Sequence, residues 1–148
     1  MKRTISKNVR RSTKKKTVLS ADDLLPLQLC TRLICLHVKG GPGAELNHLR
    51  FLHGLTNLRE LVIADARAGD LEPLEDLTKL TKLHITGLQL GTDTMVSTQP
   101  LSSLQALLEL SVYGSTSIID AVPLGKLLAL KGLDLTARSI YIRVDAGG

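Results

Sequence analysis

Residues 73–85 read Pro73-Leu74-Glu75-Asp76-Leu77-Thr78-Lys79-Leu80-Thr81-Lys82-Leu83-His84-Ile85. Leucines first recur every third residue, the period of one face of a short helical or 3-10 segment. The closing Leu83-x-Ile85 then switches to the period of two that a strand requires. The same stretch stands 47 residues earlier, as Pro26, Leu27, Leu33, Leu36, His37 and Val38. A copy lies between them, carried by Leu52, Leu55, Leu58, Leu61 and Ile63. Two more follow, as Pro100, Leu101, Leu104, Leu107, Leu110 and Val112, and as Pro123, Leu124, Leu127, Leu130, Leu133 and Leu135. The frame is P-L-x-x-L-x-x-L-x-x-L-x-[VIL], and its equivalent residues Leu33, Leu58, Leu80, Leu107 and Leu130 are spaced 25, 22, 27 and 23 apart. Loops on one side of a stack of similar units absorb such variation.

A single copy has no means of burying its own leucines, whereas stacked copies close one aliphatic core shared between neighbours. Leucine supplies 31 of the 148 residues, while the aromatics are only Phe51, Tyr113 and Tyr141. The expected fold is therefore an α/β solenoid of about five units, with short parallel strands on a concave face and helical or 3-10 turns opposite. On these residues the chain resembles the leucine-rich-repeat superfamily over roughly residues 20–140. It is similar to the 22-residue class of phosphatase-regulatory and spliceosomal subunits and to the repeats of trypanosomatid proteins. In the latter, a segment like Ser117, Ile118, Ile119, Asp120, Ala121, Val122, Pro123 and Leu124 links a strand to the next turn. Many members place an asparagine three residues after the last strand aliphatic. Here those positions hold Gly41, Ala66, Leu88, Ser115 and Arg138, so the backbone groups such a ladder serves need other partners. Ser20 is expected to cap the first turn, with Asp22 and Asp23 at its start. Residues 139–144, where Ile140, Ile142 and Val144 alternate with Tyr141 and Arg143, read as a last strand.

The formal charge of +5 joins two regions of opposite sign. Lys2, Arg3, Lys7, Arg10, Arg11, Lys14, Lys15 and Lys16 lie in an acid-free start, leaving a net of −3 on residues 21–148. Two domains follow, a basic arm over residues 1–19 and the repeat domain over residues 20–148. The arm holds too little apolar surface to fold alone, so it is expected to be disordered without a partner. Its eight cations suit RNA phosphates, with a strong salt dependence, or a targeting signal. Cys30 and Cys35 read as free thiols of a reducing compartment, Cys30 at a core leucine position and Cys35 facing outward. No run approaches the roughly 18 apolar residues of a membrane span, and the start lacks a secretory core. A cytoplasmic or nuclear location is expected, and the acid-free start also fits a mitochondrial presequence.

No catalytic constellation stands out, and no cofactor, metal or small-molecule substrate is expected. His37, His48, His53 and His84 lack metal-site spacing. His37 and His84 occupy equivalent strand positions with a unit between them, roughly 9–10 Å apart, too far to share a metal. Gly40, Gly41, Pro42 and Gly43 lack the Lys-Ser/Thr of a phosphate loop and serve a turn instead. Asp22 and Asp23 suit a helix start better than acid-base work.

Carrying the frame along the strands puts three outward rows on the sheet: Cys35, Glu60, Lys82, Glu109, Gly132; His37, Val62, His84, Ser111, Asp134; and Lys39, Ala64, Thr86, Tyr113, Thr136. That surface is mixed in sign and suits a protein partner better than a nucleic acid, through Glu60, Lys82, His84, Glu109, Tyr113 and Asp134. The expected function is a non-enzymatic scaffold, a structural subunit of a large ribonucleoprotein assembly whose repeats hold protein while the arm contacts RNA. The alternative is an adaptor of the phosphatase-regulatory or cytoskeletal type, whose arm only targets it.

Overall fold

In the computed structural model the described residues are 19–41, 45–68, 70–87 and 95–141, with the backbone alone described at 114–118 and 137–141. The basic arm therefore lies outside the described residues up to residue 18, as do Pro42 and Gly43 of the glycine turn, Leu88, and Ile142, Arg143 and Val144 of the expected last strand.

Among the described residues the 3-10 turns are Ala21–Leu29, Arg50–Leu52, Glu72–Leu74, Gln99–Ser103 and Val122–Lys126, set between strands. The frame forms 3-10 rather than α turns because each leucine amide bonds three residues back. Leu74, Leu77 and Leu80 donate to the carbonyls of Leu71, Leu74 and Leu77 at 2.9, 3.1 and 3.0 Å. Leu101, Leu104 and Leu107 repeat this on Thr98, Leu101 and Leu104 at 2.9, 3.0 and 3.1 Å. With three residues per turn, side chains at i and i+3 eclipse, so L-x-x-L-x-x-L stacks its leucines on one edge. Pro73, Pro100 and Pro123 stand in the first turn, where a missing amide leaves nothing unsatisfied. At the first turn, Asp22 and Asp23 follow the expected cap Ser20, and the Asp23 carboxylate accepts the Ser20 amide at 3.1 Å.

The strands are β1 Cys35–Lys39, β2 Glu60–Ala64, β3 Lys82–Ile85, β4 Met95–Ser97, β5 Glu109–Asp120 and β6 Gly132–Tyr141, all parallel in one sheet. The first part of β5 lies between β3 and β6, and its far end, past an irregularity between Gly114 and Ile118, lies between β4 and β6. Ser139–Tyr141 is thus not a separate last strand but the continuation of β6, held by Ile118–Asp120 of β5.

Past β2, where an asparagine would stand, the Ala66 amide donates to the Thr86 carbonyl at 2.9 Å and the Asp65 amide to Thr86 Oγ1 at 3.3 Å. Where the strands begin, each unit offers one carbonyl to two amides of the next. Arg59 and Glu60 donate to Ile34 at 2.7 and 3.1 Å, Thr81 and Lys82 to Arg59 at 2.8 and 3.1 Å, Leu108 and Glu109 to Thr81 at 2.8 and 3.1 Å, and Lys131 and Gly132 to Leu108 at 2.8 and 3.0 Å. Among the described residues no buried side-chain nitrogen or oxygen lacks a partner.

The core runs between sheet and turns. Leu80 and Leu107 are fully buried, as are Leu61, Ile63, Ile85 and Val112 from the inner face of the strands. It also holds a column three residues before each turn's first leucine, filled by Leu49, Leu71 and Thr98. Cys30, expected at a core position, is exposed. It belongs to the first unit, where Leu27, Leu33 and Leu36 are only half-buried because no earlier unit among the described residues packs over them.

Candidate functional site

The outer face of the sheet collects the predicted residues. In a strand alternate side chains share a face, and parallel register places Cys35 beside Glu60, Glu60 beside Lys82, Lys82 beside Glu109 and Glu109 beside Gly132. The second row runs His37, Val62, His84, Ser111, Asp134 in the same manner. Both rows follow the order that the repeat frame implies.

Two groups of side chains form on this face. Toward β1, Glu60 Oε1 lies 2.8 Å from His37 Nε2 and 3.9 Å from Lys82 Nζ. Toward β6, the ring centroids of His84 and Tyr113 are 5.5 Å apart at 59°, and the Tyr113 hydroxyl donates to the Asp134 carboxylate. That hydrogen bond, then desolvation, then the charge of Asp134, raise the Tyr113 pKa above its ordinary value. Glu109, Ser111, Lys131, Gly132, Leu133 and Asp134 border an open depression of about 320 Å³. Gly132 opens it by contributing no side chain to a row otherwise filled by Cys35, Glu60, Lys82 and Glu109.

His37 and His84 stand on β1 and β3 with β2 between them, in agreement with the separation expected from strand spacing. What the spacing argument missed lies across one strand boundary only. Cys35, His37 and Glu60 each bring a donor atom within 4.8 Å of the other two. The signal was present in the rows, which set Cys35 beside Glu60 and His37 two residues along. The other two histidines sit among the turns, His48 Nε2 at 2.8 Å from Asp22 Oδ1 and His53 Nε2 at 3.7 Å from Glu72 Oε2. Asp22 thus pairs with the next unit as well as opening its own turn. The eight cations of the arm lie outside the described residues.

Parallel strands joined by 3-10 turns, with leucine at every third turn position, define the leucine-rich-repeat fold. The chain matches the solved structure of internalin C2 from Listeria monocytogenes with a TM-score of 0.62 and 31% identity, over 76% of this chain and 46% of that one. It also matches an internalin F structure from the same organism with a TM-score of 0.40 and 23% identity, over 67% of this chain and 34% of that one. The chain spans under half the length of either protein. The internalins are leucine-rich-repeat proteins, and the match places this fold with that superfamily. No protein-family model matches the chain. No curated protein matches it either. Among the described residues no helix is long and apolar enough to cross a membrane.

Proposed function

We propose that the chain is a non-enzymatic protein-binding module whose contact surface is the outer face of the sheet. The observation that carries this reading is the fixed register of Glu60, Lys82, His84, Glu109, Tyr113 and Asp134, which presents acid, base and aromatic groups from adjacent strands. Mixed charge around an aromatic anchor fits a protein surface, and the likeness to an internalin, a leucine-rich-repeat protein, supports the same class. The units are read as members of the 22-residue class or as repeats of the trypanosomatid kind.

The finer assignment is a scaffold subunit of a ribonucleoprotein in which residues 1–17 contact RNA. Its support is the segregation of eight cations, without an acid, into that segment. The adaptor reading, with an arm that only targets, uses the same face and differs only in what the arm does.

The test is affinity capture with the intact chain and with Tyr113→Ala combined with Lys82→Ala, both exchanged at rising salt. A protein partner of the face is lost with the double variant and persists between about 50 and 200 mM salt, because a desolvated, matched patch is weakly screened. RNA held by the arm falls steeply over the same range and disappears when residues 1–17 are neutralised. A protein partner that the double variant retains overturns the face, and RNA binding that survives neutralisation overturns the role of the arm.

A further inference from the structure

We propose that Cys35, His37 and Glu60 form a binding site for a zinc-type divalent cation, with three protein ligands and a fourth position open to water. Cys35 and His37 are two residues apart on β1 and therefore project from the same face. Glu60 stands directly beside Cys35 on β2, one strand spacing away. A thiol sulfur, an imidazole nitrogen and a carboxylate oxygen consequently converge, each within 4.8 Å of the other two.

Sulfur, nitrogen and oxygen donors together select a borderline ion such as zinc, whereas magnesium and calcium take oxygen alone. A tetrahedral zinc ion sets its donors roughly 3.3–3.6 Å apart, so closure asks about 1 Å of side-chain movement. His37 Nε2 and Glu60 Oε1, 2.8 Å apart, give up their hydrogen bond and separate by about 0.5 Å to admit the ion. All three side chains stand on strands tied by five paired positions, from Cys35 beside Glu60 to Lys39 beside Ala64, so the backbone under the site is rigid.

Binding balances as one thiol proton released to solvent for each ion taken up, leaving a Cys35 thiolate bonded to the metal. If the imidazole carries its proton on Nε2, that proton moves to Nδ1 as Nε2 turns to the ion. Thiolate and carboxylate together neutralise a divalent charge. Lys82, 3.9 Å from Glu60, and Lys39, two residues beyond His37 on the same face of β1, are cations that oppose it. Bound metal bridges β1 to β2 and fastens the first unit, whose leucines are only half-covered, to the second.

The experiment uses the full chain, reduced and metal-free, titrated with cobalt(II) and then zinc(II). Cobalt is expected to produce a thiolate-to-metal charge-transfer band that saturates at one equivalent and is displaced by zinc. Cys35→Ser removes the band. His37→Gln and Glu60→Gln each weaken binding by more than about 10-fold, the lower end of what losing even a supporting group costs a metal site. Cys30→Ser, altering the other exposed cysteine, leaves the titration unchanged. Zinc is expected to raise the thermal midpoint of the intact chain and not that of Cys35→Ser. Circular dichroism of each variant without metal verifies the fold. The proposal is overturned if no stoichiometric band forms, if the band survives Cys35→Ser, if Cys30→Ser abolishes it, or if both His37→Gln and Glu60→Gln bind as the intact chain does.

Discussion

The second unit and the fifth carry the same frame on the same backbone, yet they bury it differently. Leu52, Leu55, Leu58, Leu61 and Ile63 are completely covered. Of their counterparts, Leu124 and Leu127 are nearly covered, Leu130 and Leu135 half-buried, and Leu133 is 51% exposed. The first unit resembles the fifth, with Leu27, Leu33 and Leu36 half-buried and Cys30 in the open. Leu29 and Leu128, near the two ends, are 86% and 87% exposed. Local shape is therefore written in each copy, whereas burial comes from a neighbour on both sides, as nearest-neighbour stacking requires.

The largest test of that contrast sets Leu80→Ala against Leu133→Ala. Leu80 is fully enclosed, so its truncation leaves a cavity and is expected to destabilise by about 2–5 kcal/mol. Leu133 already faces solvent over half its area, and its loss is expected to cost about 0.5 kcal/mol or less. Urea unfolding of both variants gives the two values. Equal losses would mean that the ends are packed as tightly as the middle.

Backbone packing between units gives the next step down. Gly87 adopts φ +79°, and a Cβ there would meet the Asp65 Cα at 2.8 Å. Gly41 adopts φ +75° with nothing within 4 Å of the same atom. Alanine at Gly41 bears only the left-handed conformation, about 1–2 kcal/mol. Gly87→Ala adds displacement of the neighbouring turn and is expected to lose measurably more in the same urea assay. A smaller or equal loss at Gly87 would show that the turns after β2 and β3 move independently.

Thr98 occupies the column otherwise filled by Leu49 and Leu71 and is fully buried. Its hydroxyl donates to the Asp120 carbonyl at 2.6 Å, joining the turn after β4 to the end of β5. Thr98→Val is expected to destabilise by about 1 kcal/mol, the net worth of one such bond, measured by thermal unfolding. A neutral or stabilising result would assign Thr98 to packing alone.

These residues also mark where the sequence was legible. Leucine spacing revealed the turns, one strand in each copy and even the neighbours along each row, because a period of three or two states which way a side chain points. It gave no sign of β4, and Ile118–Asp120, read as a link to the next turn, is the far end of β5. Nor does the spacing state what lies beyond a side chain. Cys30 therefore read as core although no unit among the described residues covers it, and Thr98 gave no sign that its column was interior. The missing asparagines left open how the turns are satisfied, and after β2 the carbonyl and hydroxyl of Thr86 accept the Ala66 and Asp65 amides. On the outer face the row order of Cys35, His37 and Glu60 was readable. Their convergence depends on rotamers, which a repeat frame does not encode.

The smallest effect concerns a side-chain hydrogen bond between the middle of the sheet and its last strand. Tyr113 on β5 donates to Asp134 on β6, and the bond holds the phenol in its neutral form. The Tyr113 pKa is accordingly raised, with that hydrogen bond the leading cause. A raised folded-state pKa means that the link contributes below the ordinary tyrosine range, near 10, and is lost as pH climbs through the higher folded value. Tyr113 and Tyr141 are the only tyrosines, so in Tyr141→Phe the tyrosinate absorbance reports Tyr113 alone. That titration is expected to run above the ordinary value and to move back toward it on Asp134→Asn, which removes the carboxylate charge and its capacity as a pure acceptor. Acid and neutral pH leave the phenol protonated in both forms, so the difference is confined to the alkaline limb. If Asp134→Asn leaves the titration unmoved, Tyr113 does not engage the last strand in solution, and the end of the sheet is looser than the middle by more than its burial alone indicates.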